Sequence, residues 1–161
     1  MRRFWMGCVL ASLPALPSQA AEPSPAPEIL KPGEIVAAFD ASDVFGTPTR
    51  VEYPKTGATV LLFFSAGCPT CHRMIPEWTR AYARRPKGLA VHGILVDREP
   101  PGFFVAMGIT FPVLRSPGAE FNRRYKLQRV PYMVRVGPSG KVEDAVVGLL
   151  DPIRLGEIFR P

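Results

Sequence analysis

Cysteine is scarce in this chain, with three among 161 residues. A disulfide framework uses more cysteines at wider spacing, so the fold is not built on one. Histidine is scarcer still, with two, which leaves few soft ligands for a four-coordinate zinc site. No run approaches the ~20 apolar residues that a membrane-spanning helix needs. Lys and Arg outnumber Asp and Glu, 20 to 14, for a formal charge of +6. No Lys/Arg block exceeds two residues, and none interleaves with aromatics as a base-stacking surface would. The charge therefore reads as a solvated, mildly basic surface, and no nucleic-acid partner is expected. No internal repeat is present.

What is there suits one globular domain. The chain is 47% hydrophobic and 21% charged, which is ample for one core. The first 20 residues have the layout of a secretory signal peptide. Arg2 and Arg3 form a basic start, Phe4 to Leu16 an apolar stretch, and Ser18-Gln19-Ala20 a small-residue cleavage site. Cleavage after Ala20 predicts a periplasmic product; an uncleaved N-terminal tether is the alternative. Cys8 lies inside the apolar stretch and leaves with it, so two cysteines remain. Residues 21–32 (AEPSPAPEILKP) lack periodicity and read as a disordered linker. The globular part is expected from Gly33 to the end.

Cys68 and Cys71 are spaced C-x-x-C. A bond between them closes so short a loop that it removes little chain entropy, so the pair is better explained by chemistry than by stapling. The apolar run Ala58–Phe64 (ATVLLFF) precedes them and reads as a strand buried on both faces. A helix is predicted from Pro69 to Arg84, with the proline at its first position and Met74, Ile75, Trp78 and Tyr82 as its apolar stripe. Pro76 should kink it. A thiol at a helix N-terminus is stabilised as thiolate, which lowers its pKa from ~8.5 into a range of about 3.5–7.5. Inert disulfide and half a zinc site are the competing readings.

Elsewhere, Val36, Phe39 and Val51 suggest a hairpin. Leu89–Val96 reads as a strand ending at Asp97, with His92 packed or at an edge. Pro100–Met107 and Pro117–Tyr125 read as short helices, with Phe111–Leu114 an apolar piece between them. Tyr132–Val136 and Lys141–Val147 form a hairpin around Gly137-Pro138-Ser139-Gly140, and Asp151-Pro152 starts a last helix. The order predicts an α/β fold: a mixed sheet with helices on both faces. Arg123, Arg124 and Arg129 read as a solvated face, or as steering for an acidic partner.

The segment Phe63-Phe64-Ser65-Ala66-Gly67-Cys68-Pro69-Thr70-Cys71, Pro76, and Val130-Pro131 before a hairpin resemble the thioredoxin-like fold. The extended front end and the segment Ile109–Leu114 look like its TlpA/ResA-like branch. Those proteins are exported or membrane-tethered thiol-disulfide oxidoreductases, some serving cytochrome c maturation. The resemblance implies a thioredoxin-like domain with an N-terminal β extension. It implies Cys68 as the attacking thiol, Cys71 as the resolving thiol, and a cis Val130-Pro131 bond that faces them and pairs with substrate. It implies a redox-active Cys68–Cys71 disulfide with no other cofactor and no metal. The implied partners of the monomer are protein thiols or disulfides and a membrane redox protein. Pro69, Thr70 and His72 are candidates for redox tuning: a protonated His72 would favour the Cys68 thiolate. A solvated helix position is the other reading of His72.

The chain departs from that pattern at several positions. Gly67 stands where an aromatic residue usually precedes the first cysteine. Thr70, not proline, precedes the second. Met74 occupies a position where several reducing members carry Glu, and Leu62 the position of the buried acid of ordinary thioredoxins. Two further readings of the chain are a non-catalytic protein that holds a maturing partner, and a thiol peroxidase. No Thr-x-x-Cys precedes the nucleophile to support the latter.

Overall fold

The structure, a computed structural model, describes residues 28–161. The expected signal at 1–20, and the expected linker up to residue 27, lie outside the described residues. The strands are β1 (Phe39–Asp43), β2 (Pro48–Val51), β3 (Thr59–Phe64), β4 (Ala90–Leu95), β5 (Val113–Arg115), β6 (Tyr132–Val136) and β7 (Val142–Val147). The helices are α1 (Pro69–Ala83), α2 (Phe103–Ala106), α3 (Ala119–Arg124) and α4 (Pro152–Ile158). The strands form one sheet in the order β2-β1-β5-β4-β3-β6-β7. β3, β4 and β5 run parallel, and the other pairings are antiparallel. Among the described residues, no helix is long and apolar enough to cross a membrane.

All six residues of β3 are buried, as its unbroken apolar run requires. Alternation along the strand sends its side chains into two cores. Val60, Leu62 and Phe64 pack with Met74, Ile75 and Trp78 of α1 and with Leu155 and Ile158 of α4. Leu61 and Phe63 pack on the opposite face with Phe121 of α3, Phe39 and Val51. Trp78 and Phe63 are thus core, as expected. The indole N–H of Trp78 is satisfied by Met133 Sδ at 3.2 Å. Gly93 lets Phe111 lie on β4: a Cβ there would stand 2.7 Å from the Phe111 ring.

Two expectations need correction. The apolar piece at Phe111–Leu114 contributes a strand, β5, which pairs with both β4 and β1. Three residues, Val113–Arg115, set between Pro112 and Ser116 carry no strand periodicity of their own; the two neighbouring strands impose it. The globular part starts before Gly33. Leu30 is buried and its N–H donates to the Tyr132 hydroxyl at 2.9 Å, so the last residues of the expected linker belong to the packed domain. Helix α1 is found where expected, from Pro69 to Ala83 with Arg84 as its C-cap, and Pro76 lies inside it on an exposed position.

Candidate active site

β3 and β4 are parallel with Phe64 opposite Leu95, and β6 begins with Tyr132 opposite Phe63. The end of β3, the end of β4 and the start of β6 therefore meet at one edge of the sheet. The loop 65–68, Asp97 and the Val130-Pro131 bond all lie there.

Cys68 is the N-cap of α1, in extended conformation, and its Sγ accepts the N–H of Cys71 at 3.3 Å. A sulfur here takes the place of the oxygen that a Ser or Asp cap supplies. Pro69 sits at the first helical position and is exposed; Thr70 is half-buried. Cys71 is fully buried, on the α1 face that also buries Met74, Ile75 and Trp78. Both cysteines are free thiols. Burial is the main cause that pushes the Cys71 thiol up to about 12. Its hydrogen bond with Cys68 adds to this, the Ser65 backbone opposes it, and the nearby Cys68 and Asp97 charges raise it further.

Val130-Pro131 is cis. The Cys68 thiol lies 3.6 Å from the Val130 carbonyl oxygen, in position to donate to it. Pro131 is buried, and its carbonyl accepts the Gly148 N–H at 2.8 Å, which ties the segment to the bend just after β7.

His72 points back along the loop. Its Nε2 lies 2.7 Å from the Ala66 carbonyl oxygen, which only accepts, so Nε2 carries the proton. Its ring centroid is 5.7 Å from that of Phe103. His92 lies in β4, far from this edge; burial lowers its pKa, and its Nδ1 is buried without a partner.

Asp97 is the residue that sequence reasoning took only as the end of a strand. One carboxylate oxygen accepts the Ala66 N–H at 2.8 Å; the other accepts the Ser65 hydroxyl at 2.6 Å and the Gly67 N–H at 3.3 Å. Its signal in the sequence is weak: one acid just after an apolar run, well away from the cysteines. Leu62 and Met74, at the two positions where the resemblance leads one to expect an acid, are buried in the core that contains Cys71. Among the described residues, no three His, Cys, Asp or Glu side chains gather as a metal site would require.

A cysteine pair at the head of a helix, facing a cis X-Pro bond across the edge of a mixed sheet, defines a protein of the thioredoxin-like class. The chain belongs to the Redoxin family, whose sequence profile matches residues 31–150. It is 24% identical over 115 residues to sporulation thiol-disulfide oxidoreductase A of Bacillus subtilis, covering 66% of this chain and 70% of that protein. It is 27% identical over 100 residues to thiol-disulfide oxidoreductase ResA of Oceanobacillus iheyensis, covering 60% of this chain and 52% of that one. The chain thus matches about half of the length of that second relative. Solved structures share the fold. StoA from Bacillus subtilis superposes with a TM-score of 0.66 at 20% identity, over 77% of this chain and 97% of that one. A thioredoxin-family thiol:disulfide interchange protein from Chlorobium tepidum gives 0.67 at 22%, over 82% and 97%. With its thiol pair and these relatives, the chain is a thiol-disulfide oxidoreductase of thioredoxin-like fold.

Proposed function

We propose that this protein is an exported reductant of disulfides in other proteins, working through the Cys68/Cys71 couple with no other cofactor. The single observation that carries the reading is the unequal placement of the two thiols. Cys68 caps the helix at the surface with an amide N–H aimed at its sulfur, while Cys71 is sealed beneath it. An N–H donor at a helix start stabilises negative charge on the attacking sulfur.

In the forward direction, the Cys68 thiolate attacks one sulfur of a substrate disulfide. The Cys68–substrate bond forms, the substrate S–S bond breaks, and one substrate cysteine leaves as thiolate. Cys71 then gives up its proton and attacks Cys68 Sγ. The Cys68–Cys71 bond forms and the second substrate cysteine departs. Two electrons pass from the dithiol to the substrate, and both substrate sulfurs end as thiols. The Val130 carbonyl, 3.6 Å from the attacking sulfur, is where an extended substrate backbone would pair.

The raised Cys71 thiol supports the reductive direction. A dithiol whose second sulfur resists ionisation gains no stabilisation as thiolate, so it gives up its electrons more readily. Export is supported by the signal-like residues 1–20. In an oxidising compartment the couple needs a membrane redox partner to return it to the dithiol. Service to cytochrome c maturation, by a monomer, follows the TlpA/ResA-like resemblance.

Reduction of insulin disulfides tests the activity. Cys68→Ser is expected to abolish it, and Cys71→Ser to accumulate a mixed disulfide on Cys68 that mass spectrometry identifies. Full activity in Cys68→Ser overturns the reading.

A further inference from the structure

The turn that delivers Cys68 to α1 exposes three donors on one side: the Ser65 hydroxyl and the N–H groups of Ala66 and Gly67. The Asp97 carboxylate takes all three, at 2.6, 2.8 and 3.3 Å. The Ser65 hydroxyl also accepts the Gly67 N–H at 3.1 Å, and the Ser65 carbonyl accepts the Cys68 N–H at 3.3 Å. From the other side, His72 Nε2–H holds the Ala66 carbonyl at 2.7 Å. The Ala66 residue is thereby clamped through both backbone groups, and the next residue but one is Cys68. Gly67 lies in the space beside the acid: a Cβ there would stand 3.8 Å from Asp97 Oδ2. Only an ionised carboxylate offers two acceptor oxygens and no donor to such a turn.

We propose that Asp97 is the positioning acid of this dithiol site: it holds the Ser65–Gly67 turn that carries Cys68 and so fixes a negative charge beside the thiol pair. The inference rests on the reading of Cys68 and Cys71 as the redox pair. Its electrostatic half follows from where the acids are. Leu62 and Met74 pack against Cys71 without charge, and Asp97 supplies a charge from the end of β4. Asp97 is among the groups that raise the Cys71 thiol. Other groups also lie around the pair. α1 brings Cys68 and His72, and the segment before β6 brings the Val130 carbonyl. Beyond Asp97 an open cleft of about 560 Å³ carries Arg98, Glu99 and Arg115. Glu99 and Arg115 neutralise each other at 2.7 Å. Removing the Asp97 charge therefore removes an anion that the cleft does not replace.

Thiolate absorbance near the ultraviolet band of ionised sulfur, followed against pH in the reduced protein, tests this. In a Cys68→Ser background, which isolates Cys71, Asp97→Asn is expected to move the Cys71 ionisation to lower pH and so to raise its thiolate fraction at pH 9 several-fold. With both cysteines present, Asp97→Ala is expected to slow disulfide exchange by about tenfold or more, because the turn loses its charged hydrogen-bond acceptor. A purely structural role slows exchange and leaves the titration where it was. An unmoved Cys71 titration in natively folded Asp97→Asn overturns the proposal. Should that variant fail to fold, the unmutated protein gives the same reading: the Asp97 carboxyl carbon resonance is expected to step with the Cys71 midpoint, and a flat response there overturns it equally. Loss of two thiols by the wild type in glutathione buffer tests the redox pair separately, so failure of that reading is told apart from failure of this one.

Discussion

The Cys68 thiol and the Val130 carbonyl oxygen, 62 positions apart in the chain, stand 3.6 Å from each other. The sheet makes this contact. A short loop after β3 leads to the first and the second lies just before β6, and the antiparallel register that sets Phe63 opposite Tyr132 brings these strand ends together. The Cys68 sulfur is therefore presented beside a backbone acceptor at the end of the sheet.

The reduction potential follows from the two thiols' surroundings. With Cys71 sealed and resistant to ionisation, the couple is expected nearer about −270 mV, the range of thioredoxin, than about −120 mV, that of a strong oxidant. Equilibration with glutathione or dithiothreitol, read by thiol alkylation, measures it. A value near the oxidising end contradicts the reductive direction.

The stability of the reduced form should depend on alkaline pH. The folded Cys71 thiol sits at about 12 against an ordinary value of 9.0. The folded state thus keeps a proton that the unfolded chain releases. The stability linked to it is fully present below about pH 9 and is lost as pH rises from there toward 12. The disulfide form has no such thiol. Calorimetry of both forms should show the reduced form losing more melting temperature across that window, and parallel curves count against the buried thiol.

His72 acts on the loop rather than on substrate in this geometry. His72→Ala removes the bond to the Ala66 carbonyl. It should speed amide hydrogen exchange at residues 66–68 and slow thiol exchange by about two- to tenfold. His72→Gln, which keeps a donor, should restore part of both. Unchanged loop protection in His72→Ala counts against the clamp.

Arg135 is a buried charge that composition does not reveal. It is 4% exposed, and its guanidinium binds Glu143 and the carbonyls of Ile158, Arg160 and Pro161. It ties the chain end after α4 to β6. Arg135→Ala should lower stability by about 2–4 kcal/mol in urea unfolding, since several polar groups lose their partner. The thiol chemistry of the folded fraction should not change. A shift below about 0.5 kcal/mol would place the clamp outside the stability of the domain.

Some of this architecture was legible because its causes are local. The run Thr59–Phe64 is apolar at every position but one, so it had to lie in the middle of the sheet. Pro69 could only begin a helix, and that set Cys68 at its cap. The spacing of the cysteines then put the second thiol one turn into the helix, on its buried side. The hairpin of β1 and β2 and the hairpin of β6 and β7 were also written in short-range alternation and turn residues.

Other features depended on partners that a linear reading cannot locate. β5 is a strand because β4 and β1 lie on either side of it. Leu30 is core because Tyr132 receives it, although its neighbours in sequence look like a linker. Arg135 is tolerable inside because the returning C-terminus supplies carbonyls. Asp97 serves the Cys68 turn because β3 and β4 end together in parallel. By itself, the sequence determined where the reactive sulfur sits on its helix, since capping and burial periodicity act within a few residues. Only the tertiary structure decided which acid holds the turn before that sulfur and which carbonyl stands beside it. Those contacts are set by strand register, and register is a property of the whole sheet.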